Sequence, residues 1–217
     1  MAAAQPTWLE DMAKRVSELQ RDEAGNILTE SYLNVCEGNL AIFTIIFNGY
    51  VTAEVGRQIA AANKNGQAVV RRDAEKVGAA GKTLAGLVKA QVAEFGAEKL
   101  GTPGEGSGTK SVLWLNRELT FICTLLKLLV SGKEASEAGY EAYETSLKPY
   151  HTWLLQKLVG NAVGYVPTID QLLPVLNIKD REAGKVQCEA FTSVMEPLTA
   201  EVLKLLEAEG AHFQGPP

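Results

Sequence analysis

Histidine and cysteine are scarce in this sequence, since its 217 residues include two histidines and three cysteines. His151 and His212 lie far apart in the chain, and neither has a second histidine at a metal-ligand spacing. Cys36, Cys123 and Cys188 are odd in number and lack a CxxC pair, so they indicate reduced core thiols instead of a disulfide framework. We therefore expect neither a metal nor another cofactor.

An excess of positive charge and the common catalytic motifs are also missing. The net charge is −5 and no basic stripe alternates with aromatic residues, so a nucleic-acid partner is not expected. The sequence has no Gly-x-Ser-x-Gly elbow, no His-Glu-x-x-His motif and no paired carboxylates at a suitable spacing, which argues against an enzyme. The glycine cluster at 101–108, GTPGEGSG, lacks the flanks of a P-loop and is predicted to be a flexible loop.

Long apolar runs are absent as well. The most apolar windows, 40–47 and 119–130, are shorter than the roughly twenty residues of a membrane-spanning helix. The first ten residues show no basic segment followed by an apolar one, so we expect a cytoplasmic protein. No polar linker divides the chain, and we expect one domain over 1–217 that acts as a monomer, with 1–24 as an N-terminal helical extension.

Helical periodicity is the main pattern that is present. Apolar residues recur at three- and four-residue intervals and strand patterns are almost absent, which predicts an all-α fold. A turn at 63–66 is predicted to end the third helix. The predicted helices span 8–23, 26–36, 39–62, 67–80, 83–100, 111–129, 140–167, 168–177 and 180–209.

The segment 140–167 places a histidine and a tryptophan in an apolar helical pattern. Leu147, Trp153 and Leu158 belong to its predicted buried face, and His151 lies at the edge of that face. Alone, His151 is open to two interpretations. It is either a helix histidine that bonds a neighbouring carbonyl, or an imidazole that binds a ligand.

The segment 111–129 adds a tryptophan and an arginine beside an apolar stripe. Trp114 and Arg117 stand three residues apart on the predicted helix. An indole face can stack on a sugar, while a guanidinium and an imidazole supply directional hydrogen bonds to a sugar or phosphate headgroup. Taken alone, a tryptophan in such a helix is more often a core residue.

Together these two segments resemble the glycolipid transfer protein family. The run WLNREL at 114–119 matches a Trp-Leu-x-Arg-x-Leu pattern, and 142–153 matches an Ala-Tyr-Glu-x-x-Leu-Lys-x-Tyr-His-x-Trp run. The resemblance covers most of the chain. It implies that Trp114 stacks on the first sugar, that His151 binds the lipid amide, and that Trp153 lies near a membrane-contacting surface.

The resemblance also implies a two-layer arrangement of about eight helices that holds hydrocarbon between its layers. Such a pocket requires an apolar lining, because unpaired buried polar groups cost free energy that an alkyl chain cannot return. The side chains expected either to line this pocket or to form a closed core are Phe43, Ile46, Phe47, Phe121, Ile122 and Leu125.

One family motif is altered in this sequence. Members carry an Asp-x-x-x-Asn-x-x-Lys set on an early helix that grips headgroup hydroxyls, and its counterpart here is the segment YVTAEVGR. Tyr50, Glu54 and Arg57 then occupy the three positions. A one-residue slip would place Gly49 and Ala53 at the first two instead.

In either register the acidic and amide anchors are absent, so the resemblance supports lipid binding more strongly than sugar recognition. Arg57 and Arg117 together suit an anionic headgroup such as a phosphate.

The predicted function is the transfer of a sphingolipid or glycolipid between membranes. Trp153 is expected to make a transient contact with a membrane surface, since tryptophan favours the interfacial layer. Two alternatives remain. One is a lipid sensor or helical interaction scaffold without efficient transfer, and the other is transfer of a phosphate-headed sphingolipid.

Overall fold

The structure is a computed structural model that describes residues 5–48, 52–102 and 106–214. These residues form an all-α fold without a named strand, which confirms the predicted fold class. Eight of the helices have ten or more residues, in agreement with the expected number. The helices are α1 (Trp8–Ser17), α2 (Thr29–Gly38), α3 (Leu40–Ile46), α4 (Ala53–Lys76), α5 (Leu84–Phe95), α6 (Ala97–Leu100), α7 (Gly108–Val130), α8 (Ala135–Ser146), α9 (Trp153–Val163), α10 (Ile169–Val175) and α11 (Arg181–Ala208), with short 3-10 turns at Gly78–Lys82 and Lys148–Tyr150.

Helix α7 is the centre of the fold. It packs against α4, α8 and α11, and fifteen of its residues are buried. Most of these fifteen residues are apolar and they lie on several sides of the helix, as expected for a helix that other helices enclose. The sequence prediction of a helix over 111–129 is confirmed and extended at both ends.

The N-terminus of α7 is held in place by side chains from two other helices. Asp73 Oδ2 of α4 accepts a hydrogen bond from Gly108 N at 2.8 Å, and Gln91 Oε1 of α5 accepts one from Thr109 N at 2.8 Å. The first backbone N–H groups of a helix have no partner within the helix, so these bonds satisfy them inside the core. This anchoring determines where the side chains of α7 meet those of α4.

The predicted turn at 63–66 was wrong, because α4 continues without a break to Lys76. Asn63 and Gly66 are local turn signals, but both lie on the face that packs against α7. There, Asn63 Nδ2 donates a hydrogen bond to Glu118 of α7, and Asn63 Oδ1 accepts one from Gln67 Nε2 of the next turn of α4 at 2.8 Å, so the amide that would otherwise favour a turn is occupied.

The first predicted helix was also too long, since α1 ends at Ser17. The chain turns back at Asp22, whose Oδ1 accepts hydrogen bonds from Ala24 N at 3.0 Å and Asn26 N at 2.8 Å. An aspartate that bonds the backbone just after it is typical of a turn.

The N-terminal helix packs into the common core. Leu9, Met12 and Val16 of α1 are buried, and the Trp8 ring lies 5.6 Å from the Phe191 ring of α11. Trp8 Nε1 also donates to the backbone oxygen of Gly38 at 2.9 Å. Trp8 is therefore a structural tryptophan.

Candidate functional site

A cavity of about 620 Å³ opens between α4, α7 and α9. Side chains of α4 between residues 55 and 69 form one wall, and those of α7 between 110 and 118 form another. His151 and residues of α9 close a third side. Its volume lies within the range of small-molecule binding sites, and most of its lining is apolar.

Trp114 and His151 stack on each other at this cavity. Their ring centroids are 5.5 Å apart and the ring planes are inclined by 13°. Both side chains are partly buried and both line the cavity. The structure thus brings together the two residues that the sequence identified in separate segments.

The prediction of one helix over 140–167 was wrong, because the chain breaks before and after His151. Pro149 has no N–H with which to continue the helix ladder, and the chain forms a 3-10 turn at Lys148–Tyr150. Thr152 then caps α9, since its hydroxyl accepts a hydrogen bond from Leu155 N at 3.3 Å. His151 therefore lies in extended backbone between two helices, where its ring can reach Trp114.

His151 is held by a tyrosine that the sequence reasoning did not select. Tyr143 Oη of α8 lies 2.9 Å from His151 Nδ1. Burial, together with the nearby charge of Arg117, lowers the pKa of His151 to about 4, while burial raises the pKa of Tyr143 to about 12. At neutral pH the imidazole is uncharged, and in the tautomer in which the phenol donates to Nδ1 the ring proton lies on Nε2.

Gln156 is a second supporting residue that the sequence reasoning missed. Its Nε2 donates to the backbone oxygens of Lys148 and His151, in both cases at 3.0 Å. These bonds connect the first turn of α9 to the segment that carries the imidazole. The signal in the sequence was the proline and threonine on either side of His151, which mark a break that side-chain hydrogen bonds must stabilise.

Arg117 lies behind Trp114 and not in the cavity wall. Its Nη2 donates to the backbone oxygen of Phe213 at 2.5 Å, and its Cζ lies 3.3 Å from the Tyr150 ring centroid and 4.9 Å from that of Trp114. Burial lowers the pKa of Arg117 to about 10, so the guanidinium keeps its charge at neutral pH. Its Nε and Nη1 atoms are buried without a hydrogen-bond partner in the described part of the chain.

Glu54 and Arg57, the other described headgroup candidates from the sequence, are not brought to the cavity. Arg57 Nη2 forms an ion pair with Glu54 Oε2 at 2.6 Å, both side chains are largely exposed, and neither lines the cavity. Tyr50 lies outside the described residues. The headgroup roles assigned to these three residues stay predictions.

Three residues of α4 in the cavity wall have the i, i+4, i+7 spacing of the family's Asp-x-x-x-Asn-x-x-Lys motif, but they lie further along the helix than Glu54 and Arg57. Ala62, Gly66 and Val69 all line the cavity at that spacing. None of these side chains can form a hydrogen bond, so this wall lacks acidic, amide and cationic anchors at those positions. The polar side chains that α4 contributes to the cavity are the amides of Gln58, Asn63 and Asn65.

The expected hydrocarbon-lining residues are buried in the core. The side chains with at most 2% exposure, none of which lines the described cavity, are Phe43, Ile46, Phe47, Phe121, Ile122 and Leu125. They form part of a closed core in this structure, which is one of the two alternatives stated for them.

An exposed apolar patch lies beside the cavity on α9. Trp153, Leu154 and Leu158 are 67%, 69% and 47% exposed, and we call these three residues the α9 patch. Leu158 also lines the cavity, so patch and cavity are continuous. The helix packs tightly on α8 at Gly139, where a Cβ atom would lie 2.2 Å from the backbone oxygen of Val163.

The fold and the cavity define a helical protein with a stacked Trp–His pair at an apolar site. The glycolipid transfer protein (GLTP) family model matches residues 27–178, and the chain belongs to that family. The glycolipid transfer protein of Danio rerio is 36% identical over 114 residues, which are 49% of this chain and 52% of that protein. The ceramide-1-phosphate transfer protein of Danio rerio is 32% identical over 104 residues, 46% of this chain and 47% of that one.

The chain thus spans about half the length of these two curated relatives. A solved structure that describes how FAPP2 selects simple glycosphingolipids using the GLTP fold superimposes with a TM-score of 0.80. It covers 98% of this chain and 100% of that chain at 20% identity, which establishes the shared fold.

Two absences apply to the described residues alone. None of their helices combines the length and the apolarity that a bilayer crossing requires. They also contain no group of three histidine, cysteine, aspartate or glutamate side chains arranged to hold a metal ion.

Proposed function

We propose that this protein binds a sphingolipid with its headgroup in the α4–α7–α9 cavity and transfers it between membranes. The observation that carries the proposal is the Trp114–His151 stack, which offers an indole face and a neutral imidazole donor at one apolar site. An indole stacks on the apolar face of a sugar ring, and Nε2–H of His151 suits a lipid amide oxygen. Membership of the glycolipid transfer protein family supports the same conclusion.

Within this proposal, an uncharged sugar headgroup is favoured over a phosphate. Among the described residues that line the cavity, Lys110 is the one lysine, and there is no arginine. Its Nζ already donates a hydrogen bond to the backbone oxygen of Thr102 at 3.1 Å. Burial also lowers the pKa of Lys110. Arg57 is paired with Glu54, so the cavity offers a phosphate little free positive charge.

A phosphate-headed sphingolipid remains the second candidate because of Arg117. This guanidinium has no carboxylate partner among the described residues and two buried N–H groups without acceptors. To reach it, a phosphate would have to enter behind Trp114 and replace the Phe213 carbonyl. A relative named for ceramide-1-phosphate transfer is consistent with this second candidate.

The hydrocarbon chains are proposed to enter beside the buried side chains of α3 and α7. Phe43 of α3, Phe47 just after α3 and Phe121 of α7 belong to the buried core, so an alkyl chain would have to separate them. Exchanging one apolar contact for another costs little, whereas a polar lining would lose hydrogen bonds to an alkyl chain.

The α9 patch is the proposed membrane contact. Trp153 stacks with the Lys157 ammonium, whose Nζ lies 4.2 Å from the ring centroid, so aromatic and cationic groups meet at one surface. The net charge of −5 disfavours docking by a broad basic surface, and insertion of a few apolar side chains gives the weak, reversible contact that a shuttle requires.

We also propose that residues 1–217 act as one non-catalytic domain and as a cytoplasmic monomer. Three free, buried cysteines support a reducing compartment. The packing of α1 on α11 supports a single core that includes the N-terminal helix.

The test is to identify the lipids that co-purify with the protein by mass spectrometry and to measure transfer of fluorescent galactosyl- and phosphate-headed ceramides between vesicles. A bound glycosphingolipid with galactosylceramide transfer is the expected result. Transfer of the phosphate-headed lipid alone would select the second candidate. Binding without transfer would select a lipid sensor, and absence of both would overturn the proposal.

A further inference from the structure

Glu118 places a carboxyl group in a cavity wall that is otherwise mostly apolar. It follows Trp114 by one helical turn of α7, so both side chains point to the same side, and both line the cavity. Asn63 Nδ2 of α4 donates a hydrogen bond to Glu118 Oε2. Gln67 Nε2 in turn donates to Asn63 Oδ1 at 2.8 Å, which orients the Asn63 amide.

This carboxyl group has no cationic partner within the described part of the chain. Among the described residues, no lysine, arginine or histidine forms an ion pair with Glu118. Burial raises the pKa of Glu118 to about 8, and the hydrogen bond from Asn63 opposes that rise only in part. At neutral pH the group is mostly a carboxylic acid, which has one O–H donor and further acceptor capacity.

A half-buried carboxyl group whose pKa is raised by burial costs stability at this position. An apolar side chain of similar size would fill the wall without desolvating a polar group. On the α4 wall of the cavity, Ala62 and Gly66 have no polar side-chain atom, and Asn63 supplies the hydrogen bond to the carboxyl group. A polar side chain that costs stability in a mostly apolar cavity wall, next to the Trp114 ring, is typical of a binding residue.

We propose that Glu118 and Asn63 form a subsite that binds a hydroxyl group of the lipid beside the Trp114 platform. The inference rests on the proposed function and adds a specificity determinant to it. A hydroxyl group both donates and accepts, so it can form two complementary bonds with a carboxylic acid. An anionic phosphate has acceptors and negative charge, so it gains less from the same group.

The hydroxyl group has two sources, a sugar headgroup or the long-chain base of the lipid. Three probes separate them: glucosylceramide, the same lipid with a base that lacks its hydroxyl, and ceramide phosphate. Affinities are measured by quenching of protein fluorescence for the wild type, Glu118→Leu, Glu118→Gln and Asn63→Ala. Glu189→Leu, at an exposed position of α11, is the matched control.

We expect Glu118→Leu to bind glucosylceramide roughly three- to tenfold more weakly, because one or two hydrogen bonds are lost. Glu118→Gln keeps a donor and an acceptor and is expected to stay within about twofold of the wild type. Asn63→Ala removes the orienting amide and is expected to change affinity in the direction of Glu118→Leu. It provides an independent reading if the leucine variant fails to fold.

Either source of the hydroxyl group supports the subsite. A sugar hydroxyl is identified if Glu118→Leu weakens both glucosylceramides and leaves ceramide phosphate unchanged. A base hydroxyl is identified if the variant weakens glucosylceramide and ceramide phosphate but not the lipid that lacks the base hydroxyl.

If Glu118→Leu binds all three probes as tightly as the wild type does, the subsite is overturned but the proposed function is not. The same holds if Glu118→Leu and Glu118→Gln lose affinity equally. A wild type that binds none of the three probes would overturn the proposed function, and the subsite with it.

Discussion

The phenol oxygen of Tyr143 lies 2.9 Å from Nδ1 of His151, across the break between α8 and α9. This contact determines which face of the imidazole meets Trp114 and which ring nitrogen remains free for a ligand. Because the ring is partly buried and uncharged at neutral pH, its orientation depends on this one side-chain hydrogen bond and on the stacked indole.

Tyr143→Phe is expected to weaken lipid binding roughly three- to tenfold and to lower the free energy of unfolding by about 1 kcal/mol, because the imidazole loses its orienting partner. Nitrogen NMR of the imidazole reports the tautomer and should show a mixture in the variant. Tyr165→Phe, at an exposed position, is the control. A Tyr143→Phe protein with unchanged tautomer and affinity would remove the tyrosine from the site.

Trp114→Ala is expected to abolish glycolipid transfer while leaving helicity largely intact. The rings of Trp114 and Trp8 are both partly buried, but Trp114 Nε1 has no hydrogen-bond partner among the described residues, so we expect its removal to lower the free energy of unfolding by only about 2 kcal/mol. Trp8→Ala provides the comparison, since its ring packs on Phe191 and its Nε1 bonds Gly38. That variant should lose about 3–5 kcal/mol, and its folded fraction should still transfer lipid.

If Trp114→Ala unfolds to the same extent as Trp8→Ala, Trp114 is a core residue and its headgroup role fails. Circular dichroism with urea titration measures the stability of both variants, and vesicle transfer measures the activity.

His151 makes stability depend on pH below neutrality. Its pKa is lowered from 6.5 to about 4 in the folded protein, first by burial and then by Arg117, so the unfolded chain binds the proton more readily. Stability from this group is present above the unfolded pKa and is lost as the pH falls through the folded pKa. After allowance for partial exposure, we expect a loss of about 1–2 kcal/mol between pH 7 and pH 4.

The measurement is urea unfolding of the wild type and of His151→Gln at both pH values. Glutamine does not titrate, so the difference in unfolding free energy between the two proteins isolates the histidine. A difference that stays constant from pH 7 to pH 4 would contradict the lowered pKa.

Trp153→Ala is expected to slow transfer between vesicles roughly three- to tenfold, because the α9 patch loses its largest apolar side chain. Affinity for a short-chain lipid dispersed in solution should be unchanged. Val186→Ala removes a 58% exposed apolar side chain from α11 and is the control. Equal slowing by both variants, or none by Trp153→Ala, would show that membrane docking does not use this patch.

Local patterns in the sequence were sufficient for the helical class and for the two residues that stack at the site. Helical periodicity depends on neighbours a few positions away, and the motifs at 114–119 and 142–153 are short, so both are readable without a fold. The sequence also indicated the long C-terminal helix, which α11 confirms within one residue at each end.

Tertiary structure decided the composition of the cavity and the ends of several helices. Whether Glu54 and Arg57 or Ala62 and Gly66 line the cavity depends on the register of α4 against α7, two helices that are far apart in the sequence. That register is determined by distant contacts such as Asp73 with the N-terminus of α7, which no local pattern contains.

The partners of His151 and Glu118 were decided in the same way. Tyr143 and Asn63 reach them only after helices have packed, because hydrogen bonds between side chains depend on positions in space and not on sequence spacing. The sequence by itself therefore determined which chemical groups the protein has, and the packing of α4, α7 and α8 determined which of them meet.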